Sequence, residues 1–321
     1  MTTYIIITSF LIIASLVYLK LAEHFNIVDK PNERSSHTIP TIRGGGILFL
    51  GALWLYFISS GFQYPYLILG ATLIGGISFI DDLKTLSSKL RLPFQFFAIA
   101  LVLIEIGMLT DSWWLLVLVL IIGVGFINIY NFMDGINGIT GLYSLAVLSG
   151  VYVLNIEVQL INPDLIRYLM ISLGVFGYYN FRKKARFFAG DIGSICIAVL
   201  LFFMGGTLLY QLQAPVIILL VVVYGADSMI TIANRTRMGQ NIVEPHRMHL
   251  YQKLVDIYGV SHLKVASMYA MLQMLVNILV FKTYTAPINM QYTILFSVIG
   301  LFFLTYVILF YYIEKRKNSL A

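Results

Sequence analysis

Four aspartates, Asp81, Asp82, Asp134 and Asp191, stand at the ends of long hydrophobic runs, and threading those runs through a bilayer brings all four to one membrane face. A carboxylate held at membrane depth costs about 2.5 to 3.5 kcal/mol on insertion scales, so acids gathered at one rim imply a compensating cation or a charged substrate. Asp81 and Asp82 are adjacent and close a hydrophobic run, where acids oppose the helix dipole and repel each other unless something positive stands between them. Lys84, Lys89 and Arg91 follow within ten residues. Acids that only solvate a helix end are the plainer alternative.

Further segments add to the same face. Asn128, Asn131 and Asp134 follow at a spacing of three, ahead of Gly135, Asn137 and Gly138. This spacing sets two amides and a carboxylate on one helix face pointing into one pocket, although Asn and Asp before Gly also make ordinary turns and caps. Gly190-Asp191-Ile192-Gly193-Ser194 opens another run after the basic stretch Arg182 to Arg186. A helix start there offers free N–H groups to a phosphate, with Asp191 beside it for a metal, while a plain N-cap would read the same. Arg34, His37, Pro40 and Arg43 lead into Gly44-Gly45-Gly46, glycines that would let backbone N–H groups approach an anion; an ordinary basic loop is equally compatible. The longest loop, roughly 234 to 262, holds Arg235, Arg237, His246, Arg247 and His249, then Leu250, Leu254, Ile257 and Tyr258 at the spacing of an interfacial amphipathic helix. Arg247 offers a planar fork to a pyrophosphate and His249 a proton donor near neutral pH. A zinc site at the histidines is not expected, since no cysteine or acidic cluster flanks them. Asp227 is placed to support the site from behind, and Glu105, near the opposite rim, receives no role.

The elements that must position these residues follow from composition. With 59% hydrophobic and 11% charged residues in 321, the chain lacks the polar residues to cover a water-soluble domain. Apolar runs of roughly 20 residues, enough for about 30 Å of hydrocarbon, recur near 3 to 22, 45 to 60, 65 to 80, 92 to 109, 113 to 131, 139 to 155, 165 to 181, 192 to 211, 214 to 233, 263 to 281 and 291 to 313. The expected fold is an all-α polytopic membrane protein of about eleven transmembrane helices, one domain over 1–321. Placing the N-terminus outside and the C-terminus in the cytoplasm puts all 21 basic residues inside except Arg167 and Lys282, as the positive-inside rule requires. The same threading puts all five histidines and the four aspartates on the cytoplasmic side. The net charge of +6 then reflects topology and attraction to anionic membrane lipids, and no stretch reads as a nucleic-acid surface. The first run reads as a retained helix, and the single cysteine, Cys196, as a packing residue.

Taken together, the acids, amides and cations at one rim suit a Mg²⁺-held diphosphate. The motifs also resemble, in order and in topology, the polyprenyl-phosphate N-acetylhexosamine-1-phosphate transferases of glycosyltransferase family 4, in its bacterial polysaccharide-initiating branch. The resemblance runs from the Arg34/His37/Pro40/Arg43/Gly44 loop through Asp81-Asp82, Asn131 to Gly138 and Phe188 to Ser194, to Arg247-x-His249. It implies transfer of an N-acetylhexosamine 1-phosphate, or that of an N-acetylated deoxyhexose, from a UDP-sugar to polyprenyl (undecaprenyl) phosphate. The products would be a polyprenyl-diphosphate sugar and UMP, made with Mg²⁺ or Mn²⁺ at the cytoplasmic face of the inner membrane as the first step of a surface polysaccharide or cell-wall glycan. By resemblance Asp191 and Asn131 hold the metal, Lys89 and Arg247 contact the diphosphate, Asn137 meets the uracil, and His246 and His249 lie near the sugar-phosphate. Asp81 and Asp82 position the lipid phosphate or take its proton. Asp134, Asn128, Gly190, Arg34, His37 and Arg43 belong to the same expected site, and a homodimer is the expected assembly. The chain departs from the family pattern at Asn137, where many members carry Asp, and at Tyr251-Gln252, where many carry histidines. A secondary transporter of an anionic metabolite is the rival reading, with a midplane site between related halves, and a non-catalytic scaffold is a third.

Overall fold

The computed structural model describes residues 1–31, 39–241 and 246–320, apart from the side chains of 314 and 317–320. Arg34 and His37 lie outside the described residues. The helices are α1 Thr2–His24, α2 Ile47–Ser59, α3 Pro65–Leu83, α4 Ser88–Ile106, α5 Trp113–Phe132, α6 Ile139–Val158, α7 Pro163–Asn180, α8 Gly190–Leu212, α9 Val222–Arg237, α10 Leu250–Asp256, α11 His262–Thr283 and α12 Ile288–Leu320. The expected all-helical architecture is present with one addition, an antiparallel pair of two-residue strands, β1 (Val28–Asp29) and β2 (Thr41–Ile42).

Each expected run falls on a helical segment, but among the described residues eight segments are both long and apolar enough to cross a membrane. These are α1, α3, α5, α6, α8, Pro215–Arg237, α11 and Ile288–Ile313. The chain is thus a multi-pass membrane protein. The other three differ for physical reasons: α2 has 13 residues, α4 carries Lys89, Arg91 and Glu105, and α7 carries Asp164 and Arg167.

The middle of the bundle is α8, which packs against α2, α3, α4, α5 and α6. Nearly every residue from Ile192 to Leu201 is buried, Cys196 completely. An apolar helix can face lipid or other helices; α5 and the Ile288–Ile313 stretch of α12, at least as apolar, are mostly unburied, whereas α8 is enclosed by its neighbours. The run near 214 to 233 is not one regular helix: Pro215–Val221 is 3-10 and α9 starts at Val222. Backbone freed by such a break must find partners inside the protein. Here Gln273 on α11 donates to the Leu219 carbonyl (2.9 Å) and accepts from the Val223 N–H (3.3 Å), while the Tyr143 hydroxyl accepts from the Tyr224 N–H at 3.3 Å.

The amphipathic helix expected around Leu250 to Tyr258 is only the short α10, and it does not lie free on an interface. Leu250 is buried against Ile230, Tyr306, Phe310 and Ile313, with Leu254, Ile257 and Tyr258 beside them. The apolar spacing was satisfied by α9 and α12 in place of lipid.

Candidate active site

The end of α3, the start of α8 and the segment after β2 meet at one place. The meeting is built on backbone pairing: Phe188 N–H donates to the Ile42 carbonyl (2.8 Å), and Gly45 and Gly46 N–H donate to the Phe188 and Ala189 carbonyls at 2.8 and 2.9 Å. A Cβ on Gly46 would overlap the backbone of Gly193. The glycine run therefore lets two backbones touch, and the expected anion cradle is corrected, because the N–H groups of Gly45 and Gly46 are already used.

Asp82 sits at this junction with a fully enclosed side chain. Its Oδ1 accepts from the Asp191 N–H (2.8 Å) and its Oδ2 from the Ile192 N–H (3.1 Å). Oδ1 also meets Arg43 Nε at 2.7 Å. A carboxylate on the first amides of a helix satisfies orphan donors and complements the dipole. The expectation that these amides await a phosphate is thus corrected: Asp82 occupies them. Gly190 makes the approach possible, at φ 71°, since a Cβ there would strike Asp82 Oδ2.

Asp81 and Asp191 form the more accessible pair. Asp81 accepts from the Leu86 N–H and from Arg91 Nη1, the latter at 2.7 Å. The same Nη1 lies 3.1 Å from Asp191 Oδ2, and Arg43 Nη2 lies 3.6 Å from Asp191 Oδ1. The Asp81 and Asp191 carboxyl groups are themselves within hydrogen-bonding reach of each other. Lys89, expected at this position, is an exposed residue of the first turn of α4, and Arg91 two residues on takes the cluster instead.

Asn128, Asn131 and Asp134 do not converge as their spacing suggested, because each is claimed by a different neighbour. Asn128 Nδ2 donates to Gln95 Oε1 at 2.8 Å and its Oδ1 accepts from Gln95 Nε2 at 3.3 Å. Asn131 Oδ1 accepts from the Ser194 hydroxyl (2.7 Å), which couples it to the first turn of α8. Asp134 Oδ1 accepts from the Thr140 hydroxyl (2.6 Å). Burial pushes the Asp134 carboxyl up to about 6, against the Thr140 hydrogen bond that favours the charged form. Asn137 spends its amide hydrogens on the carbonyls of Arg182 (3.0 Å) and Lys183 (3.3 Å), leaving only its oxygen for a base. Asn180, which sequence reasoning passed over, ties these loops together. Its Oδ1 accepts from the Gly138 N–H and its Nδ2 donates to the Phe187 carbonyl, both at 2.7 Å.

The third region is the loop before α10. Arg247 forks onto Asp256, Nε to Oδ2 at 3.0 Å and Nη2 to Oδ1 at 2.7 Å, so a diphosphate would have to replace that partner. His249 is buried, with Nδ1 3.2 Å from Asp227 Oδ1. Its Nε2 has no hydrogen-bond partner among the described residues. Asp227 also accepts from the N–H groups of Leu250 (3.0 Å) and Tyr251 (3.3 Å) and from the Tyr269 hydroxyl (2.6 Å). The support expected of Asp227 therefore has a definite form: it holds both the imidazole and the start of α10. His246 stands beside His249, ring centroids 4.9 Å apart, and burial lowers its imidazole to about 4.

Among the described residues no three His, Cys, Asp or Glu side chains are arranged to hold a metal. What the cluster offers is two close carboxylates, Asp81 and Asp191, with the neutral oxygens of Asn131 and Ser194 nearby. That donor set fits a hard divalent cation such as Mg²⁺, which takes one or two carboxylates and completes its shell with phosphate oxygens and water.

The family model described as glycosyl transferase family 4 matches residues 64–210, the stretch that carries Asp81, Asp82, Asn131, Asp134, Asn137 and Asp191. Decaprenyl-phosphate N-acetylglucosaminephosphotransferase of Mycobacterium tuberculosis (strain ATCC 25618 / H37Rv) is 26% identical over 298 residues, covering 76% of this chain and 72% of its own. A protein of Bacillus subtilis (strain 168) named probable undecaprenyl-phosphate N-acetylglucosaminyl 1-phosphate transferase is 28% identical over 275 residues, covering 76% and 73%. The chain whose acids, arginines and glycine-lined junction are described above is thus similar, over residues 64–210, to glycosyl transferase family 4 and, at 26–28% identity, to polyprenyl-phosphate N-acetylglucosamine-1-phosphate transferases.

Proposed function

We propose that this chain transfers an N-acetylhexosamine 1-phosphate, or that of an N-acetylated deoxyhexose, from a UDP-sugar to polyprenyl phosphate, initiating a surface polysaccharide or cell-wall glycan. The observation that carries the reading is the cluster in which Arg43 and Arg91 are ion-paired to Asp81, Asp82 and Asp191 at the meeting of α3 and α8. A lipid phosphate reaches only headgroup depth, and a nucleotide-sugar comes from water, so their reaction belongs at such a rim. With the chain crossing eleven times, N-terminus outside and C-terminus inside, that rim faces the cytoplasm of the inner membrane.

In the reaction an oxygen of the lipid phosphate attacks the β-phosphorus of the donor in line. The bond from that phosphorus to the bridging oxygen breaks, and UMP leaves with the electron pair. Phosphate monoesters are largely ionised at pH 7, with a second pKa near about 6, so the carboxylates serve mainly to organise charge. Asp191 and Asn131, with Asp81 beside them, would hold Mg²⁺ or Mn²⁺, which supplies neutralisation of the diphosphate and of the departing UMP. Arg91 and Arg247 would then take diphosphate oxygens. Lys89 lies at the entrance with its charge exposed, and Asn137 keeps an oxygen for the uracil. His249, its buried Nε2 unpartnered among the described residues, would lie near the sugar-phosphate, and His246, neutral at pH 7, would serve there as a hydrogen-bonding group.

Purified protein given undecaprenyl phosphate and UDP-N-acetylglucosamine should form a diphosphate-linked lipid separable by thin-layer chromatography. Solute accumulation in vesicles with no new lipid would favour the transporter instead, a reading that finds no support in the transferase relatives.

A further inference from the structure

One guanidinium nitrogen serves both the Asp81 and the Asp191 carboxylate. Arg91 Nη1 is 2.7 Å from Asp81 Oδ2 and 3.1 Å from Asp191 Oδ2, the point where a positive charge gains most from the pair. A divalent cation bridging the two would occupy the same point. Two cations cannot share it, because like charges a few ångströms apart at a partly enclosed site repel strongly.

The two arginines of the cluster are held differently. Arg43 is anchored from both sides, its carbonyl accepting from the Tyr18 hydroxyl (2.6 Å) and its Nε locked on the enclosed Asp82. Arg91 stands in the first turn of α4, just past the irregular stretch 85–87, and its shielded Nε has no hydrogen-bond partner among the described residues. A guanidinium gains most from a planar fork that uses parallel N–H groups. Among the described residues Arg91 is instead held through Nη1 alone, an incomplete arrangement that a phosphate could improve.

We propose that Arg91 is a displaceable counter-ion: in the metal-free protein it neutralises Asp81 and Asp191, metal entry expels it, and the released fork takes up the donor diphosphate. Only that last step rests on the transferase reading. Metal and arginine compete for the carboxylates, while metal and diphosphate cooperate because the diphosphate gives Arg91 its next partner. The arrangement also keeps two close acids from facing each other uncompensated between turnovers.

The test is Mn²⁺ affinity, read from the electron paramagnetic resonance signal of free Mn²⁺ with detergent-solubilised protein and no donor. Arg91→Gln should bind Mn²⁺ at least about tenfold more tightly than the native protein. Arg91→Lys, which keeps the charge, should stay close to native, and Asp191→Asn should bind poorly. Thermal unfolding in chelator gives a second reading: Arg91→Gln should melt earlier than the native protein and recover with Mn²⁺. Equal or weaker Mn²⁺ binding by Arg91→Gln would overturn the proposal while leaving the transferase reading intact. Absence of Mn²⁺ binding by every variant would overturn both this proposal and the metal assignment.

Discussion

Asp82 and Asp191 are joined carboxylate to backbone: Asp82 Oδ1 accepts the Asp191 N–H at 2.8 Å while the Asp191 side chain turns away to Arg91 and Asp81. The two halves of the Asp81-Asp82 pair therefore have different work. Asp82 builds the junction of α3 and α8, and Asp81 pairs with Arg91. Asp82→Ala should lower both stability and activity, the former by about 2 kcal/mol or more for a lost helix cap and an unpaired guanidinium. Asp81→Ala should abolish activity with a much smaller change in melting temperature. Thermal unfolding and turnover measured on both variants check this, and equal melting temperatures would contradict it.

A second carboxylate does the same kind of capping far from the chemistry. Glu105 Oε2 accepts from the Tyr66 and Leu67 N–H groups at 2.7 and 3.0 Å, the first free amides of α3 after Pro65. Glu105→Ala should cost about 1 kcal/mol of stability and leave kcat within about twofold of native, as an unfolding curve beside a rate assay would show.

Asp227 should act through His249. Five donors converge on its carboxylate, from Thr231, His249, Leu250, Tyr251 and Tyr269. Asp227→Asn puts an amide against N–H groups that cannot reverse and frees the tautomer of the imidazole. Activity should fall by roughly tenfold to a hundredfold, but the same change in a His249→Ala background should add little. A double-mutant cycle on kcat/KM reads this coupling, and multiplicative losses would assign Asp227 to folding alone.

The pH dependence should carry Asp134 and not His246. Asp134 titrates near 6 in the folded chain, above the ordinary carboxylate value near about 3.9. The folded state thus holds this proton more tightly than the unfolded one. Its contribution to stability is largest at acid pH and is lost as pH rises through about 6. With the ionised Asp134 carboxylate taken as the active form, the rate should rise across the same interval, and Asp134→Asn should remove the step. His246→Gln should leave the profile between about pH 5.5 and 8 unchanged, since His246 is already neutral there.

Much of the helical architecture was legible because apolar run length is a one-dimensional signal. The helices carrying the expected site residues were placed within a few residues of their actual bounds. Partner choice was not legible. Nothing in the sequence distinguishes an Asp that pairs with an arginine from one that turns inward to cap α8, as Asp81 and Asp82 do. Arg91 and Lys89 likewise differ only in which side of α4 they leave. Asn180 and Gln273 were missed because one amide bridging two loops, or a broken helix, carries no local pattern. The break at Val221 did have a signal, Pro215 ahead of a β-branched run, that could have divided the span. Gly44-Gly45-Gly46 was read as a place where an anion approaches, but the neighbours there are the Tyr18 hydroxyl, the Phe187 ring and, at Gly46, the α8 backbone.

The most direct measurement uses UDP-N-acetylglucosamine labelled with ³²P at the β-phosphate, incubated with purified protein, Mg²⁺ and undecaprenyl phosphate, beside an Asp191→Asn variant and a chelator control. The account predicts that the β-label moves into lipid with UMP as the nucleotide product, and that both controls abolish the transfer. Label that stays in the nucleotide, released as UDP while the sugar alone reaches the lipid, would contradict attack at the β-phosphorus and the account built on it.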